Sequence, residues 1–97
     1  MTTIHNSDDL FLFFRQHDLF KRFHLKKIGV FGSFARGEKF KDIDLLVEDD
    51  IDYRQLLELK QLIEIETGFK VDIVQRKYAE PVILYRALKE VKYAAAS

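Results

Sequence analysis

Apolar residues in the first fifth of the chain recur at helical spacing. Leu10, Phe13 and Phe14, with His17 one turn further on, follow the i, i+3, i+4, i+7 rule, and Ser7 stands where a cap belongs. The pattern predicts an amphipathic helix from Ser7 to His17, and "DLFKRFH" (residues 18–24) adds a further helical turn. "KKIGVF" (26–31) then reads as a short buried strand. Gly32 and Ser33 follow, with a brief helical turn around Ala35 and Arg36. In "DIDLLV" (42–47) the period drops to two, with Ile43, Leu45 and Val47 on one face and Asp42, Asp44 and Leu46 on the other.

The second half repeats the alternation of helix and strand. "EDDID" (48–52) makes an acidic turn and cap before "YRQLLELKQLIEIET", where Leu56, Leu59, Leu62 and Ile63 form a helical stripe. Gly68 ends that helix. "KVDIV" (70–74) is a third strand with Val71 and Ile73 on one face and Lys70, Asp72 and Val74 on the other. Pro81 fits the first turn of a last helix running to about Lys89. No repeat, low-complexity segment or linker interrupts residues 1–97, so the expectation is one α+β domain, a small mixed sheet with helices packed mainly on one face and the carboxylates on the other.

Composition narrows the functions available. Lys and Arg number 16 and so do Asp and Glu, so there is no basic field to grip long nucleic acid, and general DNA or RNA binding loses ground. Cysteine is absent, which excludes thiol chemistry, disulfides and the commonest structural zinc ligands. No signal peptide or membrane-spanning apolar run is present, and the expected location is the cytoplasm. His5, His17 and His24 lack metal-ligand spacing; His17 belongs to the helix and the other two to the surface.

Asp42 and Asp44 raise the chemical question. Two residues apart on a strand, they point the same way with β-carbons roughly 7 Å apart, and like charges on one face repel. Such a pair suits Mg²⁺, a hard cation that takes oxygen ligands and keeps waters and substrate phosphates in its shell. If the third strand lies beside the second, Asp72 joins the same face and three carboxylates serve one site. Asp72 is then placed to activate an attacking hydroxyl or to ligate the metal that does, and two metals about 4 Å apart could hold both oxygens of an in-line displacement at phosphorus. The plain alternative is a solvated strand end for Asp42 and Asp44 and an exposed strand position for Asp72.

Gly32 and Ser33 supply the other half. Glycine after a strand admits a ligand close to the backbone, and free N–H groups of a helix beginning at Ser33 would face phosphate oxygens. Ser33 as a mere helix cap is the competing reading. Gly32 and Gly37 invite comparison with the Walker phosphate loop, but that motif needs Gly-Lys-Ser/Thr where this chain has Gly37-Glu38-Lys39, and it is rejected. Leu46 and Val74 share the aspartate face and form an apolar patch suited to a partner unless the chain covers them.

Gly32-Ser33, Ala35-Arg36-Gly37-Glu38, Asp42-Ile43-Asp44 and Val71-Asp72-Ile73, in that order, resemble the minimal nucleotidyltransferases of the DNA polymerase β-like superfamily, those that serve as antitoxins of HEPN toxin–antitoxin pairs. The resemblance covers most of the chain. It implies Mg²⁺-dependent transfer of a nucleoside monophosphate, with ATP as the expected donor of AMP, to an acceptor hydroxyl on a partner such as a HEPN-type helical protein. Asp42, Asp44 and Asp72 take the catalytic and metal positions. Gly32 and Ser33 take the triphosphate, and Arg36 is set beside them as a nucleotide-binding candidate, against the alternative of an ordinary surface arginine. A homo-oligomer is compatible with this picture and a membrane partner is not.

Two positions depart from the family pattern. The segment between Gly-Ser and the first aspartate, "FARGEKFK", has eight residues where members commonly have more, and Lys41 stands where they usually carry serine. A displaced cradle would silence transfer, because catalysis is sensitive to shifts near 1 Å. A binding module that covers a helical partner without turnover is therefore the competing function. Small-molecule modification is a third, less favoured because such enzymes carry an additional substrate domain.

Overall fold

The computed structural model describes residues 3–96 and has the alternation the sequence predicts. Helix α1 (Ser7–Gln16) and a single turn, α2 (Leu19–Arg22), precede strand β1 (Lys27–Phe31). A second single turn, α3 (Gly32–Ala35), leads to β2 (Asp42–Val47), and α4 (Tyr53–Thr67) crosses over to β3 (Lys70–Gln75). A 3₁₀ turn (Arg76–Tyr78), helix α5 (Pro81–Glu90) and strand β4 (Lys92–Ala95) complete the described chain. The sheet order is β3-β2-β1-β4, with β2 and β3 parallel and the other pairs antiparallel. No helix among the described residues is long and apolar enough to cross a membrane.

One face of the sheet carries the core. Ile28 and Val30 of β1, Ile43, Leu45 and Val47 of β2, and Val71 of β3 meet Leu10, Phe13 and Phe14 of α1 and Leu59 and Ile63 of α4, all buried. The parallel β2–β3 pair requires a crossover, and α4 supplies it. Asp52 caps α4 by accepting the Arg54 N–H at 3.2 Å, and Asp49 accepts the Lys26 N–H at 3.0 Å, so the acidic turn does the capping expected of it.

Two local expectations are corrected. Asn6, not Ser7, caps α1: its side chain accepts the Asp9 N–H at 2.9 Å, while Ser7 lies inside the first turn with its hydroxyl buried and unpartnered. The helix also stops at Gln16, and His17 closes it from outside. Asp18 then takes a left-handed conformation (φ 55°), and residues 19–22 form the further helical turn expected within 18–24, set off from α1.

The chain itself covers one end of the aspartate face. Leu46 is fully buried and Val74 half-buried, so the condition for an apolar partner patch is not met at Leu46. Leu46 pairs with Gly29, and Val91 and Tyr93 lie over Gly29; a β-carbon there would stand 2.7 Å from Val91 Cγ2, which only glycine avoids. Residues 91–95, given no element by the sequence, thus cover this end of the sheet. Strand β4 adds to the β1 edge, and the Tyr93 hydroxyl donates to the Glu48 carboxylate.

The capping geometry predicts opposite effects for two neighbouring substitutions. Asn6→Ala should cost about 1 kcal/mol in urea denaturation. Ser7→Ala should be neutral or stabilising, because it removes a buried hydroxyl that has lost its water and gained no partner. The reverse order would return the cap to Ser7.

Candidate active site

Strand order decides where the three aspartates meet. In the β2–β3 register Asp44 lies directly opposite Asp72, and Asp42 opposite Lys70. Residues opposite one another in a sheet share a face, so Asp42, Asp44 and Asp72 all project from the side away from the phenylalanine core. Several contacts pin this register. Thr67 Oγ1 donates to the Ile63 carbonyl at 2.7 Å, the Phe69 N–H reaches Thr67 Oγ1 at 3.3 Å, and Glu64 accepts the Val71 N–H at 2.9 Å. A slip of one residue would turn Asp72 into the core and Val71 out of it.

Between β1 and β2 the short connection is held by aromatic packing. Phe40 meets Phe34, at the other end of the same eight-residue segment, edge-on with centroids 4.7 Å apart, and Phe69, just before β3, at 4.8 Å, which folds the segment on itself and ties it to the start of β3. Lys41, next to Asp42, is exposed.

Gly32 leaves β1 with φ 77° and lies against the Asp44 carboxylate, with which any β-carbon at that position would collide. Glycine is required there for both reasons. Ser33 is half-buried and sits within α3 rather than capping it, which removes its reading as a cap. Because α3 is one turn long, its dipole is slight and the useful donors are individual N–H groups.

Electrostatics mark Asp44 as the strained member. Its pKa is pushed up to about 6, first by burial and then by the negative charges of Asp72, Asp42 and Glu90, with Arg36 pulling the other way. The donors are all carboxylate oxygens and they repel one another, which is the chemistry a hard divalent cation relieves. Among the described residues no three acidic or imidazole side chains converge closely enough to hold a metal as they stand. The donor set therefore fits such an ion by chemistry and by shared face, with side-chain adjustment needed on binding. The largest cleft, about 670 Å³, shares no residue with the carboxylates, while a smaller one of about 240 Å³ opens beside Asp72 between Tyr53, Leu56, Leu57, Lys60 and Ile73.

Arg36, placed by the sequence among the nucleotide contacts, is held by two acids. Its Nε donates to Glu38 at 2.9 Å and its Nη1 to Glu90 at 2.6 Å. The second oxygen of Glu90 accepts the Gly32 N–H at 2.8 Å. Burial pushes the Glu90 carboxyl up, but the Arg36 hydrogen bond, the Gly32 N–H and the Arg36 charge outweigh it and hold the group below its usual range. Glu90 was invisible to sequence reasoning: it ends a helix 58 residues from Gly32, and no local pattern links the two.

Asp44 sets a pH dependence of unusual sign. Its folded pKa lies above its ordinary value, so the folded chain binds the extra proton between about 3.8 and 6, and stability from this group falls as pH rises through that window. In metal-free buffer, Asp44→Asn should therefore stabilise the chain at neutral pH, by about 1 kcal/mol after solvent screening of a half-exposed group is allowed for. The gain should vanish near pH 4, a comparison that paired urea titrations make directly. A variant less stable than wild type at neutral pH would contradict it.

Comparison with known proteins agrees with this geometry. The sequence profile described as polymerase beta, nucleotidyltransferase matches residues 16–93. The protein adenylyltransferase MntA of Thermococcus cleftensis is 36% identical over 80 residues, 78% of this chain and 81% of that protein. A crystal structure of a toxin–antitoxin with AMP-PNP contains a chain 26% identical with a TM-score of 0.65, covering 81% of this chain and 68% of the other. Another, of a tri-AMPylated HEPN toxin from Shewanella oneidensis in complex with its MNT antitoxin, matches at 25% identity and a TM-score of 0.57, covering 80% and 66%. With the Gly-Ser turn, the Asp-x-Asp strand and the third aspartate in one sheet, the chain belongs to the polymerase β-type nucleotidyltransferases, as a minimal nucleotidyltransferase domain of the MntA kind.

Proposed function

We propose that the protein transfers AMP from ATP to a hydroxyl group on a helical partner protein of the HEPN type. The observation that carries the reading is the register of β2 and β3, which sets Asp44 opposite Asp72 on the face it shares with Asp42 and beside the backbone of Gly32. The named relatives support the chemistry, one as a protein adenylyltransferase and one as the antitoxin beside an AMPylated toxin. A solvent-facing stretch of α5, with Val82, Ile83, Tyr85 and Leu88 exposed, supports a protein partner.

In this reading Asp42, Asp44 and Asp72 hold Mg²⁺, which when bound offsets the charge that builds on the phosphate oxygens. Gly32 admits the triphosphate close to the backbone, Ser33 offers a hydroxyl, and Arg36 a guanidinium. The acceptor oxygen forms a bond to the α-phosphorus as the bond to pyrophosphate breaks, and the hydroxyl proton passes to a carboxylate, for which Asp72 on the accessible edge strand is best placed.

A competing reading, in which the chain only covers its partner, draws on the same exposed face of α5. Asp42→Asn/Asp44→Asn separates the two, since neutralisation of the partner is lost with catalysis in one and survives in the other.

Label from α-³²P-ATP with Mg²⁺ should appear on a protein of the source-cell extract, and label from γ-³²P-ATP should not. The double variant should abolish it, Asp72→Asn should slow it by roughly 100-fold or more, and Asp50→Asn in the acidic turn should leave it unchanged. Equal labelling from the γ position would refute nucleotidyl transfer.

A further inference from the structure

Glu90 holds the donors that the proposed nucleotide site would use. One carboxylate oxygen takes the Gly32 N–H at 2.8 Å and the other takes Arg36 Nη1 at 2.6 Å. Two oxygens on one planar anion, bridging a backbone N–H and a guanidinium, occupy the place of two oxygens of a phosphate group. We propose that Glu90 is an internal competitor for the triphosphate, a carboxylate that closes the Gly32–Arg36 cradle until nucleotide displaces it. The inference rests on the nucleotide-site reading above and adds to it a regulation of that site.

Three features favour competition over support. The Gly32 N–H is a single donor, and a carboxylate at 2.8 Å takes the position a phosphate oxygen would need. Glu90 also adds negative charge to a site that already holds Asp42, Asp44 and Asp72, and its charge is among those acting on Asp44. A triphosphate entering with Glu90 in place would meet a fourth carboxylate that no candidate metal ligand set includes. Finally, the exchange needs little movement. Glu90 is the last residue of α5, its side chain is 27% exposed, and Val91 after it is already extended. A rotamer change swings the carboxylate outward while Glu38, on Arg36 Nε, keeps the guanidinium from drifting away.

The closed arrangement lowers apparent affinity by the fraction of time the cradle is open. Calorimetric titration of ATP with Mg²⁺ into the full chain should find Glu90→Gln and Glu90→Ala binding about tenfold more tightly than wild type, with the gain shrinking at high salt. Glu90→Gln keeps the shape of the side chain, and thermal melts check that both variants fold. Arg36→Ala should weaken binding, and in that background Glu90→Gln should gain much less, because the competitor has lost one of its two anchors. Glu58→Gln, on an exposed part of α4, controls for general charge. Wild type binding ATP while both Glu90 variants bind equally or more weakly would overturn the gate and make Glu90 a positioning residue. Failure of wild type and every variant to bind would overturn the nucleotide site, and the gate with it.

Discussion

Everything at the carboxylate face depends on the parallel pairing of β2 with β3. An antiparallel hairpin could join two such strands with a short turn, but parallel strands need a crossover, and the residues of α4 provide it while burying Leu59 and Ile63 over the sheet. The pairing sets the Asp44 and Asp72 backbones opposite one another. Their repulsion is then a built-in cost, met by the buried apolar face on the other side of the same strands. Thr67, Glu64 and Phe69 sit where the chain turns from α4 into β3 and hold the register against the slip that would relieve that repulsion.

That cost has a chemical use. A carboxyl driven up to about 6 by burial and like charges would regain that free energy if the proposed cation bound beside it. Under the proposed function, fold stability and ligand affinity are traded at the same residue, as is common at functional sites. The Gly32 backbone completes the arrangement by passing against the Asp44 carboxylate in a left-handed conformation that suits glycine.

Much of this was legible in the chain. Alternation in "DIDLLV" and "KVDIV", broken only by Leu46 and Val74, identified two strands and put the aspartates on one face. Capping escaped in detail: Asn6 and Ser7 are both good caps, and one residue of helical phase decides which faces the N–H groups and which the core. Strand β4 was missed because "KYAA" is short and alanine-rich and pairs only with a strand more than sixty positions earlier. The covering of Leu46 and the bonds of Glu90 to Gly32 and Arg36 escaped for the same reason, since both arise where the end of α5 and the residues after it return to the carboxylate face. Sequence periodicity reports which face a residue occupies; it does not report what else arrives there.

In the proposed function, Asp42, Asp44 and Asp72, with Gly32 beside them, form one metal and nucleotide site. The most direct test is amide NMR of the chain with an unreactive ATP analogue as trace Mn²⁺ replaces Mg²⁺, since the paramagnetic ion broadens only nearby resonances. Broadening should centre on residues 42–44, on Asp72 and on Gly32 and Ser33, three segments that this strand order brings together. Broadening centred instead on the acidic turn of residues 48–52, or spread over the surface without focus, would contradict it.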